Sequence, residues 1–140
     1  MYTTIVLAAD GSEHSLRATD EVIHIATSGN NDVSIYVLYV IDEDDAKSDV
    51  LHNWNELDFS YKRKAQIKPI EDKLSGASLS YETVILRGDP GPTVVDYVNE
   101  HEVDLVVIGS RGLNPLQEFV LGSVSHKVAK RANSSVLIVK

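Results

Sequence analysis

The chain has 140 residues, 43% apolar and 24% charged, the balance of one soluble globular domain with room for a core. Thirteen basic against 21 acidic side chains leave a formal charge of −8, which argues against a nucleic-acid backbone or an anionic membrane as partner. Cysteine is absent, which excludes disulfides, thiolate zinc sites and cysteine nucleophiles together and suits a reducing cytoplasm.

MYTTIVLAAD lacks a basic region and a long apolar run, so neither a signal peptide nor a membrane span is expected. TTIVLAA (3–9) predicts a first strand, buried on both faces. From Ser12 to Ser28, Leu16, Thr19, Val22, Ile23 and Ala26 recur at helical spacing, and Gly29 follows as a stop. VSIYVLYV (33–40) predicts a second strand. Over 50–75, Leu51, Trp54, Leu57, Tyr61, Ala65, Ile70 and Leu74 suggest helix. Pro69 falls inside that pattern and predicts a kink or split near 65–69, and Gly76 ends the segment. LSYETVIL (79–86) alternates more, as a strand near an edge does.

DPGPTVVDYVNEH (89–101) opens on Asp89 as N-cap and Pro90 at N1, with Val94, Val95 and Val98 as its apolar stripe. DLVVIG (104–109) and SVLIVK (135–140) are again nearly continuous apolar runs. Between them Val124, Val128 and Ala132 place a last helix over 123–132. The order βαβαβαβαβ predicts an α/β fold: a doubly wound five-stranded parallel sheet with helices on both faces, in a single domain over 1–140.

In such a sheet, ligands bind outside the C-terminal ends of the strands, where the strand order reverses. Asp10 follows the first strand and YVIDEDD closes the second. GSRGLNPLQEFVLGS (109–123) follows the fourth. Gly109 and Gly112 can take positive φ and leave space for a ligand. Asn114 and Pro115 read as the start of a short helical turn through Phe119, which Gly122 can end, and Ser123 can cap the final helix. The first N–H groups of that helix, with its dipole, form an anion site. A polyphosphate there would meet several backbone donors and the Ser123 hydroxyl. The loop is neither a Walker A sequence nor the G-x-G-x-x-G dinucleotide fingerprint.

Asp10 serves a ligand, caps the first helix, or does both. The acids at 42–45 read as a solvated loop rather than a lid, and YKRKAQIK (61–68) as a solvated basic face. The histidines, His14, His24, His52, His101 and His126, form no close ligand pair. His126 stands one turn from Ser123, within reach of the phosphate site.

G-x-x-G, nine residues, then G-S resembles the nucleotide-binding signature of the universal stress protein family. IVLAADGSEHSLRA, YVLYVID, GDP (88–90), VDLVVIGSRG and LGSVSHKV agree along the whole chain. The resemblance implies a Rossmann-like fold of the adenine-nucleotide α-hydrolase-like kind. It implies ATP as ligand, with Mg2+ or Mn2+ held mainly through the phosphates. Residue by residue, it puts Asp10 near the ribose and the backbone of Val40 on the adenine. Gly109, Arg111, Gly112, Gly122, Ser123, Val124 and Ser125 would line the phosphates.

The same resemblance implies a homodimer through the last strand, Ser135 to Val139. An apolar edge ending at Lys140 points the same way. ANSS (132–135) stands where many relatives have proline and cysteine, a departure that touches the dimer edge more than the ligand site.

The expected function is a cytoplasmic ATP-binding module for stress response or signalling. The alternative is a slow ATP hydrolase or phosphoryl-transfer enzyme on the same site, with Arg111 as the cation in the loop and Asp10 or His126 as base. A phospho-acceptor receiver domain shares the fold class. It needs an acidic pair after strand 1, an aspartate ending strand 3 and a lysine after strand 5, which AAD, RGD and terminal Lys140 do not supply.

Overall fold

The first apolar run forms β1 (Thr4–Ala9), and the alternation continues to the end. There follow α1 (Glu13–Thr27), β2 (Ser34–Ile41), α2 (Glu56–Gly76), β3 (Tyr81–Arg87), α3 (Pro90–Glu100), β4 (Leu105–Gly109), α4 (Ser123–Arg131) and β5 (Ser135–Val139). The computed structural model describes residues 2–29, 32–42, 56–111 and 121–140, without the side chains of 56–63. All strand pairs are parallel, in the order β3-β2-β1-β4-β5. The chain therefore winds outward from β1 through β2 to β3, then returns to β4 on the other side of β1.

Successive side chains of a strand point to opposite faces, and each face has its own core. Ile5, Leu7, Ile35, Val37, Leu105 and Val107 face Ala18 and Val22 of α1 and Ile67, Ile70 and Leu74 of α2. Val6, Ala8, Leu38, Val106 and Ile108 face Val94, Val95 and Val98 of α3 and Val128 of α4. Ile5, Val6 and Leu7 are each 0% exposed, which explains the unbroken apolar run: β1 is central and covered twice. β3 is an edge strand with alternating exposure, as its sequence predicts. β5 carries an equally apolar run yet also lies at an edge, where Val136 to Val139 are only half-buried.

α2 runs unbroken from Glu56 to Gly76 through Pro69, so the predicted split does not occur. The missing Pro69 N–H costs one helical bond to the Ala65 carbonyl. Ile67, Ile70 and Leu74, packed on the sheet around that position, hold the helix together. It stops at Gly76, as the sequence predicts. Leu79 N–H donates to Leu74 O and Ser78 N–H to Ser75 O, the paired bonds of a Schellman motif. The left-handed position falls on Ser78, with φ +58°. A non-glycine residue there costs about 1–2 kcal/mol, partly offset by the entropy a glycine gives the unfolded chain, about 0.4–1 kcal/mol. Ser78→Gly should therefore raise stability by about 0.5–1 kcal/mol and Tm by roughly 2–4 °C in a calorimetric melt.

At the other end of the strands, Asp104 ties β4 to β1. Its Oδ2 accepts from Thr3 Oγ1 at 2.8 Å and from the Thr3 and Thr4 N–H groups, each at 2.9 Å. The Thr3 hydroxyl, then the Thr4 and Thr3 amides, hold the carboxyl below its ordinary value of 3.8. A carboxyl depressed in the folded state adds stability above its unfolded pKa, and that stability is lost as pH falls through the folded pKa. Asp104→Ala should thus be less stable than the parent at neutral pH. The gap should close in denaturant titrations run progressively below about pH 4.

Candidate functional site

Where the order of a parallel sheet reverses, the loops leaving neighbouring strands diverge and open a crevice. Here the reversal lies between β1 and β4. Ala8 pairs with Ile108, so the next residues, Ala9 and Gly109, bring both loops out side by side.

The loop after β1 is braced by its own polar side chains. Ser12 is the N-cap of α1, its Oγ accepting the Ser15 N–H at 3.2 Å. Asp10 is therefore not the helix cap. Its Oδ1 accepts from the Ser12 N–H at 2.9 Å and from the Ser15 hydroxyl at 2.7 Å, while its own N–H donates to Ser15 Oγ at 2.9 Å. One carboxylate oxygen thus fixes the turn. The other, Oδ2, makes no hydrogen bond among the described residues.

Gly11 has φ +83°, and a Cβ there would stand 3.1 Å from Gln66 Cβ. Glycine lets α2 close over this loop. Gln66 also accepts a hydrogen bond from the Tyr39 hydroxyl at its Oε1.

β2 runs past the end of β1. The last β1 pair is Ala9 with Tyr39, whereas β2 continues through Val40 to Ile41. The Ile41 carbonyl accepts from the Gly88 N–H on the β3 side. Backbone groups alternate sides along a strand, so Val40 turns its own toward β1, at the level of the Asp10 turn.

Residues 109–111 and the start of α4 form the other wall. Gly109 is the last residue of β4, paired with Val139. The predicted positive φ is absent there; among the described glycines only Gly11 and Gly88 have it. What Gly109 supplies is closeness. A Cβ there would stand 2.6 Å from His14 Cβ and 3.0 Å from the His14 carbonyl carbon, so α1 rests directly on the strand. His14 Nδ1 then lies 3.3 Å from Ser110 Oγ.

Ser110 is buried and joins several elements. Its N–H donates to Val139 O at 2.7 Å, and its carbonyl accepts the Gly122 N–H at 2.8 Å. Arg111 follows it, half-buried.

α4 begins at Ser123 with Gly122 as N-cap; the predicted cap, Ser123, sits one residue further on, at N1. The reason is that Gly122 already stands in extended backbone, φ −59° and ψ 157°, with its N–H given to Ser110. A glycine cap has no side chain to accept from the first turn. His126 N–H bonds to Gly122 O at 2.9 Å, while the amides of Ser123, Val124 and Ser125 have no acceptor among the described residues. Those N–H groups and the positive end of the helix dipole make an anion site.

Of the predicted residues, Asp10, Val40, Gly109 and Arg111 stand at or just beyond the ends of β1, β2 and β4, and Gly122, Ser123, Val124 and Ser125 open α4, with Gly122 beside Ser110 and Arg111. Gly112, the 114–119 turn, the acids at 43–45 and Trp54 lie outside the described residues, as does the Tyr61 side chain. Ser123 is exposed, Val124 packs against the α3–α4 core, and Ser125 is buried. His126 is exposed in the first turn of α4. His14 and Gln66 were not predicted for the site. Both meet it through contacts remote in sequence, which leave no local spacing signal. Among the described residues no three His, Asp or Glu side chains could together hold a metal ion, and no helix is long and apolar enough to cross a membrane.

The sequence profile of the universal stress protein family matches residues 1–140. Universal stress protein YxiE of Bacillus subtilis is 31% identical over 150 residues, with all of both chains covered. The structure of MJ0577 from Methanocaldococcus jannaschii superposes with a TM-score of 0.86 at 29% identity, covering 100% of this chain and 96% of that one. A universal stress protein in complex with cAMP superposes with a TM-score of 0.70 at 31% identity, covering 99% and 97%.

Proposed function

The chain belongs to the universal stress protein family, and we propose that it is a nucleotide-binding member whose ligand is ATP carried with Mg2+ or Mn2+. The observation that carries this reading is the glycine-capped start of α4. Three amides without acceptors open beside the β1–β4 crevice, where a phosphate fits both the donors and the dipole. The Ser123 hydroxyl adds a donor. Gly109 and Arg111 line the same phosphates from the β4 side, and Gly112 is assigned to them by the sequence signature alone.

On the other wall the Val40 backbone takes the adenine, and Asp10 Oδ2 accepts from a ribose hydroxyl. The cation is held mainly through the phosphates. A related structure solved with cAMP supports the adenine-nucleotide class.

The protein works in the cytoplasm as a nucleotide-dependent stress-response or signalling module, and pairs as a homodimer through β5. Val139 turns its backbone toward β4, since its carbonyl accepts from Ser110. Val136 and Ile138, on alternate residues, turn theirs to the open edge, which a second copy would complete.

The test is mass spectrometry of small molecules released from freshly purified protein, then calorimetric titration of the emptied protein with ATP, AMP, cAMP and GTP, with and without Mg2+. Release of an adenine nucleotide, or saturable binding of one in preference to GTP, supports the reading. Binding of none of them overturns it. ADP or AMP recovered from protein loaded with ATP would move the function toward slow hydrolysis.

A further inference from the structure

The Ser125 hydroxyl faces inward. Ser125 is 2% exposed, and its Oγ lies 3.0 Å from Ser110 O and 3.0 Å from Gly122 O. A serine has one hydroxyl proton, and here both neighbouring acceptors are protein carbonyls. The Ser110 carbonyl also accepts the Gly122 N–H at 2.8 Å. A side chain three residues beyond the cap thus fastens the cap residue back onto the end of β4. Ser110 is itself held from two further sides, through Val139 O and His14.

We propose that Ser125 is a positioning residue rather than a phosphate ligand through its side chain. Its hydroxyl latches the start of α4 to Ser110, so that the Ser123, Val124 and Ser125 amides stand aligned before the ligand arrives. This rests on the nucleotide-binding reading above and assigns one of its residues a separate task. Donors fixed in advance cost less to order on binding, and a helix that opens on glycine has no cap side chain to do that fixing.

Removing the hydroxyl strands nothing. In Ser125→Ala the Ser110 carbonyl keeps the Gly122 N–H, and the Gly122 carbonyl keeps the His126 N–H at 2.9 Å. The fold should therefore survive while the cap loosens.

The experiment compares parent, Ser125→Ala and Ser125→Thr. Calorimetric titration with AMP and with ATP–Mg2+ is combined with amide hydrogen exchange of Gly122 and His126 in the ligand-free proteins. The alanine variant should bind both nucleotides about tenfold more weakly, the worth of roughly one hydrogen bond, and its Gly122 amide should exchange faster. Threonine, whose hydroxyl can reach the i−3 carbonyl of a helix, should restore both.

Unchanged Gly122 exchange in Ser125→Ala would overturn the latch. Faster exchange with unchanged affinity would overturn the positioning role. A parent that binds neither nucleotide would instead sink the nucleotide reading, and the exchange rates would still decide whether the latch exists.

Discussion

Replacing Gly122 with valine should abolish nucleotide binding and leave the fold standing. The expectation rests on what surrounds that position in the folded chain. Its φ of −59° and ψ of 157° suit any L residue. A Cβ there would meet Arg111 Cα at 3.4 Å, Ser110 O at 3.5 Å and Ser125 Oγ at 3.6 Å, all ordinary contacts. Neither backbone strain nor the space for a Cβ therefore requires glycine.

An N-cap side chain lies over the first N–H groups of its helix. Valine would cover those amides with methyl groups that accept nothing, in the place a phosphate would occupy. Losing two charge-assisted hydrogen bonds weakens binding by about a hundredfold or more. The cost to stability, loss of a tolerated cap for a poor one, is roughly 0.5–1 kcal/mol.

Calorimetric titration with ATP and a thermal melt on the same protein check both halves. Gly122→Ser sharpens the test, because serine caps the helix by taking the same amides. It should raise stability by a few tenths of a kcal/mol and weaken ATP binding at once. Valine and serine variants that bind ATP like the parent would remove the phosphate cradle from this helix.

Much of the fold is legible because burial writes it directly into the local pattern. β1 and β4 are covered on both faces and read as unbroken apolar runs, while β3 alternates and lies at an edge. β5 breaks that correspondence. Its run is as apolar as β4's, yet the sheet stops there and its residues stay half-buried. A run of valine and isoleucine records that a strand avoids water, but not whether its own sheet or another chain does the covering.

The sequence points to the strand ends as the place for a ligand, and β1 and β4 do pair side by side where the strand order reverses. The reasons for individual residues were not readable. His14 and Gln66 take their roles from contacts made across the fold, and Asp10 from the turn it fixes through Ser12 and Ser15. Gly76 ends α2, but the left-handed residue of the Schellman turn that closes it is Ser78, two residues later. Pro69 is carried inside a helix because tertiary packing outweighs one missing hydrogen bond.

Gly109 should behave as the opposite of Gly122, although the two belong to one sequence signature. The Cβ that an alanine would add at 109 falls 2.6 Å from His14 Cβ, 3.0 Å from the His14 carbonyl carbon and 3.1 Å from its oxygen. Two of these three atoms are helix backbone, so no side-chain rotation relieves the contact; α1 must move off the sheet. That helix carries Ala18 and Val22, each 0% exposed, against the central strands, and displacing it opens their packing.

Overfilling of this kind costs about 1–3 kcal/mol, more than the few tenths to 1 kcal/mol that alanine gains by restricting the unfolded chain. Gly109→Ala should lower Tm by roughly 5–10 °C, and Gly109→Val by more, whether or not nucleotide is present. A thermal melt without ligand separates the two glycines: a large drop at 109 and a small one at 122. His14→Ala cannot rescue the 109 variant, because alanine keeps the Cβ as well as the carbonyl carbon and oxygen at position 14. Full recovery of Tm in the double variant would show that neither the Cβ nor the backbone of residue 14 was in the way and that α1 does not rest on the strand there. A Gly109→Ala protein as stable as the parent would mean that glycine is kept there for the ligand after all.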